Sequence, residues 1–251
     1  MESYLHSETV FVTLTYDPEH LPADGNVNET DPQLFLKRLR QRLARENDQP
    51  RRIRYFLCAE YGGQLGRAHY HAVLYGCSML DHETIQNSWG LGGVLVQPFN
   101  TARARYTAKY IQKKLIKGGE KFNEDGRRSE FARMSRNPGL GHDFIKSLAY
   151  GLKGQATNPD VNLRGLVRLD GRKYPLDRYG KNMLHAALVD LGVSNADAKR
   201  MVYPTETEGD PQNDGLSAFD KTQSKIDRQD KYLAQAESRE RVTRTRGHRL
   251  H

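Results

Sequence analysis

Alternating apolar and polar positions along the chain predict short strands joined by amphipathic helices. The strand patterns are rich in β-branched and aromatic residues between turn residues, and they cover residues 10–16, 53–60, 67–75 and 94–97. The helix patterns show apolar residues at three- and four-residue spacing, and they cover residues 31–45, 81–89 and 101–117. The order β-α-β-β-α-β-α is typical of an α+β fold with an antiparallel sheet.

Two histidines share one face of the predicted strand between Gly66 and Gly76. Side chains alternate along a strand, so His69 and His71 face the same way and Tyr70 faces the other. Two imidazoles held at a fixed separation can bind one divalent metal ion. The pattern alone fits equally well a strand that happens to expose two histidines.

An acidic residue ends the preceding strand. Glu60 is joined to the histidine strand by the glycine-containing link 61–66, which predicts a hairpin. Antiparallel pairing would return Glu60 beside His69 and His71. One carboxylate and two imidazoles with open positions suit Mg²⁺ or Mn²⁺ acting on a phosphate better than a closed structural zinc site. A solvated carboxylate at a strand end is the alternative.

Two tyrosines lie four residues apart on the predicted helix 101–117. Tyr106 and Tyr110 share a stripe with Lys109 and Lys113, roughly opposite the apolar stripe. A tyrosine can attack a phosphodiester and become covalently linked to DNA. Its pKa of about 10 requires help from a metal ion or nearby cations. The alternative is a pair of surface tyrosines in a basic stripe that faces nucleic acid.

The charge balance favours a polyanionic partner, although a basic soluble protein without one has the same composition. The chain of 251 residues carries 39 Lys and Arg against 31 Asp and Glu, a formal net charge of +8. Two cysteines imply no disulfide framework and fit a reducing cytoplasm. We expect no membrane association, because no apolar run approaches ~20 residues.

Basic and aromatic side chains intermingle from 123 to 180, a composition that suits phosphate contact and base stacking on single-stranded DNA. A solvated irregular surface is the alternative for any single residue. Threonines on the less apolar face of the first strand also suit DNA contacts, although strand propensity explains them as well. The predicted nucleic-acid contacts are Thr13, Thr15, Arg67, Arg105, Arg133 and Arg136.

The motifs occur in an order that resembles the HUH endonuclease superfamily of rolling-circle replication initiators. Residues 11–17 come first, then Glu60, the His69-Tyr70-His71 strand and the tyrosine pair. The resemblance covers roughly residues 9–145. Within the superfamily, the chain resembles initiators of single-stranded DNA bacteriophages, the microviruses, and especially their gokushovirus branch. Relatives in that branch usually carry a cysteine-rich lead-in, whereas only a few residues precede the first motif here.

The resemblance implies an RRM-like or ferredoxin-like HUH core with a helical, partly irregular C-terminal extension. We expect the core over residues 1–122, a basic extension that contacts DNA over 123–180, and a helical region with a polar tail over 181–251. It also implies a metal-dependent nickase that cuts single-stranded origin DNA through a 5′-phosphotyrosine intermediate and rejoins the ends. The implied metal ligands are Glu60, His69 and His71, and the implied catalytic residues are Tyr106, Tyr110, Lys109 and Lys113.

The sequence contains no G-x-x-x-x-G-K phosphate loop, so we expect duplex unwinding to need a host helicase and replication machinery in the bacterial cytoplasm. A transposase or plasmid initiator of the HUH superfamily would share the chemistry. A non-catalytic RRM-like module would bind nucleic acid without metal dependence and without a covalent product. A metal-dependent phosphohydrolase would give the tyrosines no role.

Overall fold

Five strands form one antiparallel sheet in the computed structural model, which describes residues 1–46, 51–62, 66–100, 102–103, 126–158, 163 and 165–203. The strands are β1 Thr9–Thr15, β2 Arg54–Tyr61, β3 Ala68–Tyr75, β4 Val94–Pro98 and β5 Phe131–Met134, in the spatial order β4-β1-β3-β2-β5. A separate hairpin pairs β6 Leu166–Leu169 with β7 Arg172–Pro175. The α-helices are α1 Thr30–Glu46, α2 His82–Trp89, α3 His142–Lys153, α4 Arg178–Asp190 and α5 Asn195–Val202. The predicted α+β class with an antiparallel sheet is confirmed.

One face of the sheet packs against α1 and α2. Its buried residues include Leu14, Tyr70 and Leu74, which join Leu39 and Trp89 of the helices in one apolar core. The opposite face, called the site face below, carries the two histidines and a smaller apolar cluster. The members of that cluster are Phe11, Phe56, Val73 and Tyr75. The predicted alternation along β1 and β3 is therefore confirmed.

Helix α2 is tied to the end of β1 that lies nearest the histidines. The indole N–H of the fully buried Trp89 donates a hydrogen bond to the Thr15 carbonyl over 2.9 Å. Gly90 follows with a φ of 63° and ends the helix in the left-handed conformation that glycine adopts without strain. The backbone of Gly92 passes so close to β1 that a Cβ there would lie 2.4 Å from the Thr15 carbonyl oxygen.

A second core lies among α3, α4 and α5, with Ile145, Leu188 and Met201 buried in it. The helices predicted between 182 and 199 are thus observed, but the irregular character predicted for 123–180 is wrong in part. That range contains β5, α3 and the β6–β7 hairpin. Strand β5 has only four residues and sits at the sheet edge, so it shows little strand pattern. The boundaries proposed at 122 and 180 stay predictions, although β5 pairs with β2 of the core.

The predicted helix 101–117 lies outside the described residues except at 102–103, and the predicted polar tail lies outside them as well. Among the helices that the structure describes, none combines the length and apolar character needed to cross a bilayer.

The Tyr70 hydroxyl ties a loop to the sheet, and its loss should cost stability. Tyr70 is fully buried, donates to the Asn28 carbonyl over 2.8 Å and accepts from the Asn28 N–H over 2.9 Å. Tyr70→Phe should lower the free energy of unfolding by about 1–3 kcal/mol, because it leaves buried polar groups without a partner. Urea unfolding measures the change. Tyr150, 74% exposed, provides the control: Tyr150→Phe should stay within about 0.5 kcal/mol of the parent, and an equal loss in both variants would contradict the prediction.

Candidate active site

The strand register brings three predicted ligands together. Strands β2 and β3 form the antiparallel hairpin expected from the sequence, with Glu60 paired opposite His69. On the other side of β3, strand β1 pairs Thr13 opposite His71. Glu60, His69 and His71 therefore converge on the site face.

Both imidazoles point their Nε2 atoms at the same carboxylate oxygen. Glu60 Oε1 lies 2.8 Å from His69 Nε2 and 2.5 Å from His71 Nε2. One ligand atom from each of the three residues lies within 4.8 Å of the others. The Glu60 residue is only 3% exposed, whereas the His69 side chain is 18% exposed. The cluster is thus preassembled and reaches solvent on the histidine side.

The second ring nitrogens are held by neighbouring residues. His69 Nδ1 lies 3.1 Å from the Arg67 carbonyl oxygen, and His71 Nδ1 lies 2.9 Å from Thr13 Oγ1. The Phe11 ring stacks on His71 with 5.5 Å between the ring centroids. Such contacts fix the ring orientation of metal-binding histidines and leave Nε2 to face the ion.

The protonation state of the cluster fits a cation site. Burial alone would raise the pKa of Glu60, but hydrogen bonds from His69 and His71 and their positive charge outweigh it and lower the pKa to about 2. Burial alone would lower the pKa of His69, but its hydrogen bonds to Glu60 and to the Arg67 carbonyl raise it. A divalent cation could replace the Nε2 protons while keeping the carboxylate ionised. This mixed oxygen and nitrogen donor set is chemically suited to a divalent metal ion.

The other predicted DNA contacts near the cluster make contacts within the protein. Thr13 contacts His71, as described above. The hydroxyl of the exposed Thr15 donates to the Gly93 carbonyl over 3.2 Å. Arg67 Nη2 donates to the Tyr16 carbonyl over 3.1 Å. These contacts fix the side chains at the edge of the cluster, and their role toward nucleic acid stays a prediction.

Arg133 and Arg136 lie away from the cluster, on and just after β5. Arg133 alternates with Ala132 and Met134, which pack on the site face, so its side chain points to the opposite face. There it pairs with both carboxylate oxygens of Glu29, over 2.6 and 2.7 Å. Arg136 is exposed and lines an open groove of about 520 Å³. Contact with nucleic acid remains a prediction for both.

The predicted nucleophiles and their neighbours fall in the range 104–125, outside the described residues. That range contains Arg105, Tyr106, Lys109, Tyr110 and Lys113. Their assigned roles therefore stay predictions.

A contact that the sequence did not predict lies where the chain returns after residue 125. The Arg127 guanidinium carbon is 4.3 Å from the centroid of the Tyr61 ring, and Arg127 Nη1 donates to the Gly66 carbonyl over 3.3 Å. The Tyr61 hydroxyl donates to the Arg128 carbonyl over 2.8 Å. Because Tyr61 follows Glu60 directly, this contact joins the C-terminal end of the tyrosine-bearing segment to the ligand strand. The partners are 66 residues apart, so no local pattern predicts their meeting.

Comparison with known proteins gives the chain a family. Residues 9–115 match the model of the replication-associated protein ORF2 family. The chain is 30% identical over 142 residues to replication-associated protein VP4 of Bdellovibrio phage phiMH2K, a match that covers 49% of this chain and 44% of that protein. It is 26% identical over 204 residues to replication-associated protein ORF4 of Chlamydia phage 1, covering 73% of this chain and 48% of that protein.

A third relative is replication-associated protein ORF2 of Spiroplasma virus 4, 32% identical over 149 residues, which cover 52% of this chain and 45% of that protein. The matched segments span about half the length of these curated relatives. No solved structure matches the chain significantly.

Proposed function

The segment 9–115 belongs to the replication-associated protein ORF2 family, and we propose that the chain is a bacteriophage replication initiator that nicks and rejoins single-stranded origin DNA. The observation that carries this proposal is the convergence of Glu60, His69 and His71 on the site face. A non-catalytic nucleic-acid-binding module has no need for such a preassembled ligand set. The host helicase and replication machinery are part of the same proposal.

The three ligands would hold Mg²⁺ or Mn²⁺ at the scissile phosphate. When bound, such an ion supplies positive charge that polarises a phosphoryl oxygen and orients the phosphate for in-line attack. Thr13 and the Arg67 carbonyl keep both Nε2 atoms directed to this position. Burial of Glu60 keeps water from separating the carboxylate from the imidazoles.

A tyrosine from the 104–125 segment would act as the nucleophile. The phenol oxygen of Tyr106 or Tyr110 loses its proton to solvent and attacks the phosphorus, forming a tyrosine–phosphate bond. The bond between phosphorus and the 3′ oxygen breaks, and that oxygen takes up a proton to give a free 3′-hydroxyl. Lys109 and Lys113 offset the negative charge that develops on the phosphate.

Two tyrosines suit repeated rounds of rolling-circle replication. The first stays linked to the old 5′ end while the new strand grows. The second then cuts the regenerated origin, and the freed 3′-hydroxyl closes the first circle. Tyr106→Phe should therefore leave single cleavage measurable but impair repeated rounds.

The contact between Tyr61 and Arg127 should affect how the tyrosine segment meets the metal cluster. Arg127→Ala removes the guanidinium from the Tyr61 ring and should lower the rate of covalent adduct formation about 10-fold, because misplaced reacting groups lose rate steeply. Mn²⁺ binding, measured by electron paramagnetic resonance, should be unchanged. Arg38→Ala removes an arginine that caps the end of α2, and it serves as the control for general loss of stability. An unchanged rate in Arg127→Ala would contradict the positioning role.

End-labelled DNA tests the proposal. Tiled single-stranded oligonucleotides spanning the genome that encodes the chain are incubated with protein and Mn²⁺, then run on denaturing protein gels. The 5′-phosphotyrosine chemistry predicts that one tile labels the protein from its 3′ end and not from its 5′ end, and that EDTA abolishes the band. Binding of tiles without any covalent band, in a correctly folded preparation, would contradict the proposal.

A further inference from the structure

A cavity of about 750 Å³ opens at the end of the sheet opposite the metal cluster. Its walls come from the N-terminal segment, from β1, β3 and the residues after β4, and from the β6–β7 hairpin. The lining residues that matter here are Tyr4, Thr9, Tyr75, Phe99, Asp170 and Tyr174. Its volume lies in the range of sites that bind small organic molecules, roughly 300–1,000 Å³. No role described above uses this cavity.

The walls offer aromatic surface together with hydrogen-bond acceptors. Four aromatic rings line the cavity, and the Tyr75 and Phe99 centroids lie 6.5 Å apart. Asp170 lies at the hairpin tip, where its carboxylate accepts a hydrogen bond from the Tyr4 hydroxyl. A planar heterocycle can stack on such rings while a carboxylate accepts from its amino group.

Thr9 provides an independent sign that a polar ligand belongs here. Its hydroxyl oxygen is buried, and among the residues that the structure describes it has no hydrogen-bond partner. A buried polar atom without a partner costs free energy that a bound ligand would recover. The hydroxyl can donate to a ring nitrogen or a carbonyl oxygen as well as accept.

The charge of the cavity argues against a phosphate as the bound group. Among the described residues, no lysine or arginine side chain lines it, whereas the carboxyl groups of Glu2 and Asp170 do. A nucleotide would therefore enter with its base inside and its phosphates outside.

The cavity and the metal cluster lie on one face of the same strand. Thr9 and Thr13 are both on β1, four residues apart, so they are separated by about 13 Å along the strand. Thr13 contacts His71 of the cluster, and Thr9 lines the cavity. An extended DNA strand covers that distance with a few nucleotides.

We propose that this cavity binds one base of the single-stranded DNA whose scissile phosphate lies at the metal cluster, and that this base carries an exocyclic amino group. The inference rests on the proposed function for the identity of the DNA. It adds a determinant of origin sequence at a fixed offset from the cleavage position. Cytosine, adenine and guanine offer amino hydrogens to Asp170, whereas thymine does not.

Equilibrium binding in EDTA tests the cavity without requiring cleavage. The tile that binds the full chain most tightly is labelled with fluorescein, and each nucleotide is replaced in turn by an abasic site. We expect one position at which the replacement weakens binding about 10-fold in the parent protein. In Tyr174→Ala the same replacement should change binding less than about 2-fold, whereas Tyr174→Phe, which keeps the ring, should behave like the parent.

A second variant tests the choice of base. Asp170 has a φ of 47°, a conformation that glycine adopts without strain, so Asp170→Gly removes the carboxylate while sparing the turn. Thymine at the sensitive position should weaken binding to the parent and make no difference to Asp170→Gly. Equal abasic penalties at every position in the parent and in Tyr174→Ala would overturn the inference, as would a tightest tile that binds no better than homothymidine of equal length. Failure of the proposed function would appear separately, as binding with no covalent band in Mn²⁺.

Discussion

Replacing both Tyr106 and Tyr110 by phenylalanine should abolish the covalent protein–DNA adduct, with a loss of at least about 1,000-fold in the rate of its formation. The phenol oxygen is the proposed attacking atom, and phenylalanine removes it while keeping the ring. Loss of a covalent nucleophile leaves only the catalysis that binding and charge stabilisation supply. Denaturing gels with a 3′-labelled cognate oligonucleotide measure the rate.

The two single variants and one distant control make this prediction sharp. Each single variant should still form an adduct, because the remaining tyrosine lies one helical turn away in the predicted helix. Tyr150→Phe alters an exposed tyrosine of α3 and should react like the parent. Metal binding and oligonucleotide binding in EDTA should be preserved in the double variant. Adduct formation by the double variant at more than a few per cent of the parent rate would contradict the assignment.

The Glu60→Gln substitution should lower the rate of adduct formation at least about 100-fold, with weaker Mn²⁺ binding as the cause. The Glu60 carboxylate faces both His69 and His71, and its pKa of about 2 keeps it ionised at neutral pH. A neutral amide is a poorer ligand for a divalent cation and cannot offset its charge. Mn²⁺ titration followed by electron paramagnetic resonance measures affinity, and gels measure the rate.

Glu83→Gln is the matched control, because Glu83 is an exposed glutamate on α2 away from the cluster. It should leave both measurements unchanged. Thermal unfolding of the metal-free proteins separates loss of the site from loss of the fold. Parent-like adduct formation by a folded Glu60→Gln would rule out this carboxylate as a required ligand.

The ligand set was predictable because it depends on local sequence. Alternation along β3 sets the faces of His69 and His71, and a short glycine-containing link makes β2 and β3 a hairpin. Once the hairpin forms, its register carries Glu60 to His69. Each of these steps involves neighbours in the chain, so sequence patterns contain them.

Contacts between distant segments were not predictable in the same way. Thr13 was predicted to contact DNA, and the structure adds its contact with His71, 58 residues away. The contact between Tyr61 and Arg127 likewise depends on where the whole sheet brings two remote segments. Strand β5 escaped prediction because four residues at a sheet edge, with the charged Arg133 among them, carry too little pattern.

Identifying the residue that becomes linked to DNA tests the central claim most directly. The adduct is digested with nuclease and trypsin and analysed by mass spectrometry. Trypsin cleaves after Arg105, Lys109 and Lys113, so Tyr106 and Tyr110 fall on separate four-residue peptides, Tyr106–Lys109 and Tyr110–Lys113. We predict a nucleotide phosphate on one or both of these peptides in Mn²⁺ and on neither in EDTA. A nucleotide on any other peptide, or none on DNA-bound protein that has cut its origin, would contradict the claim.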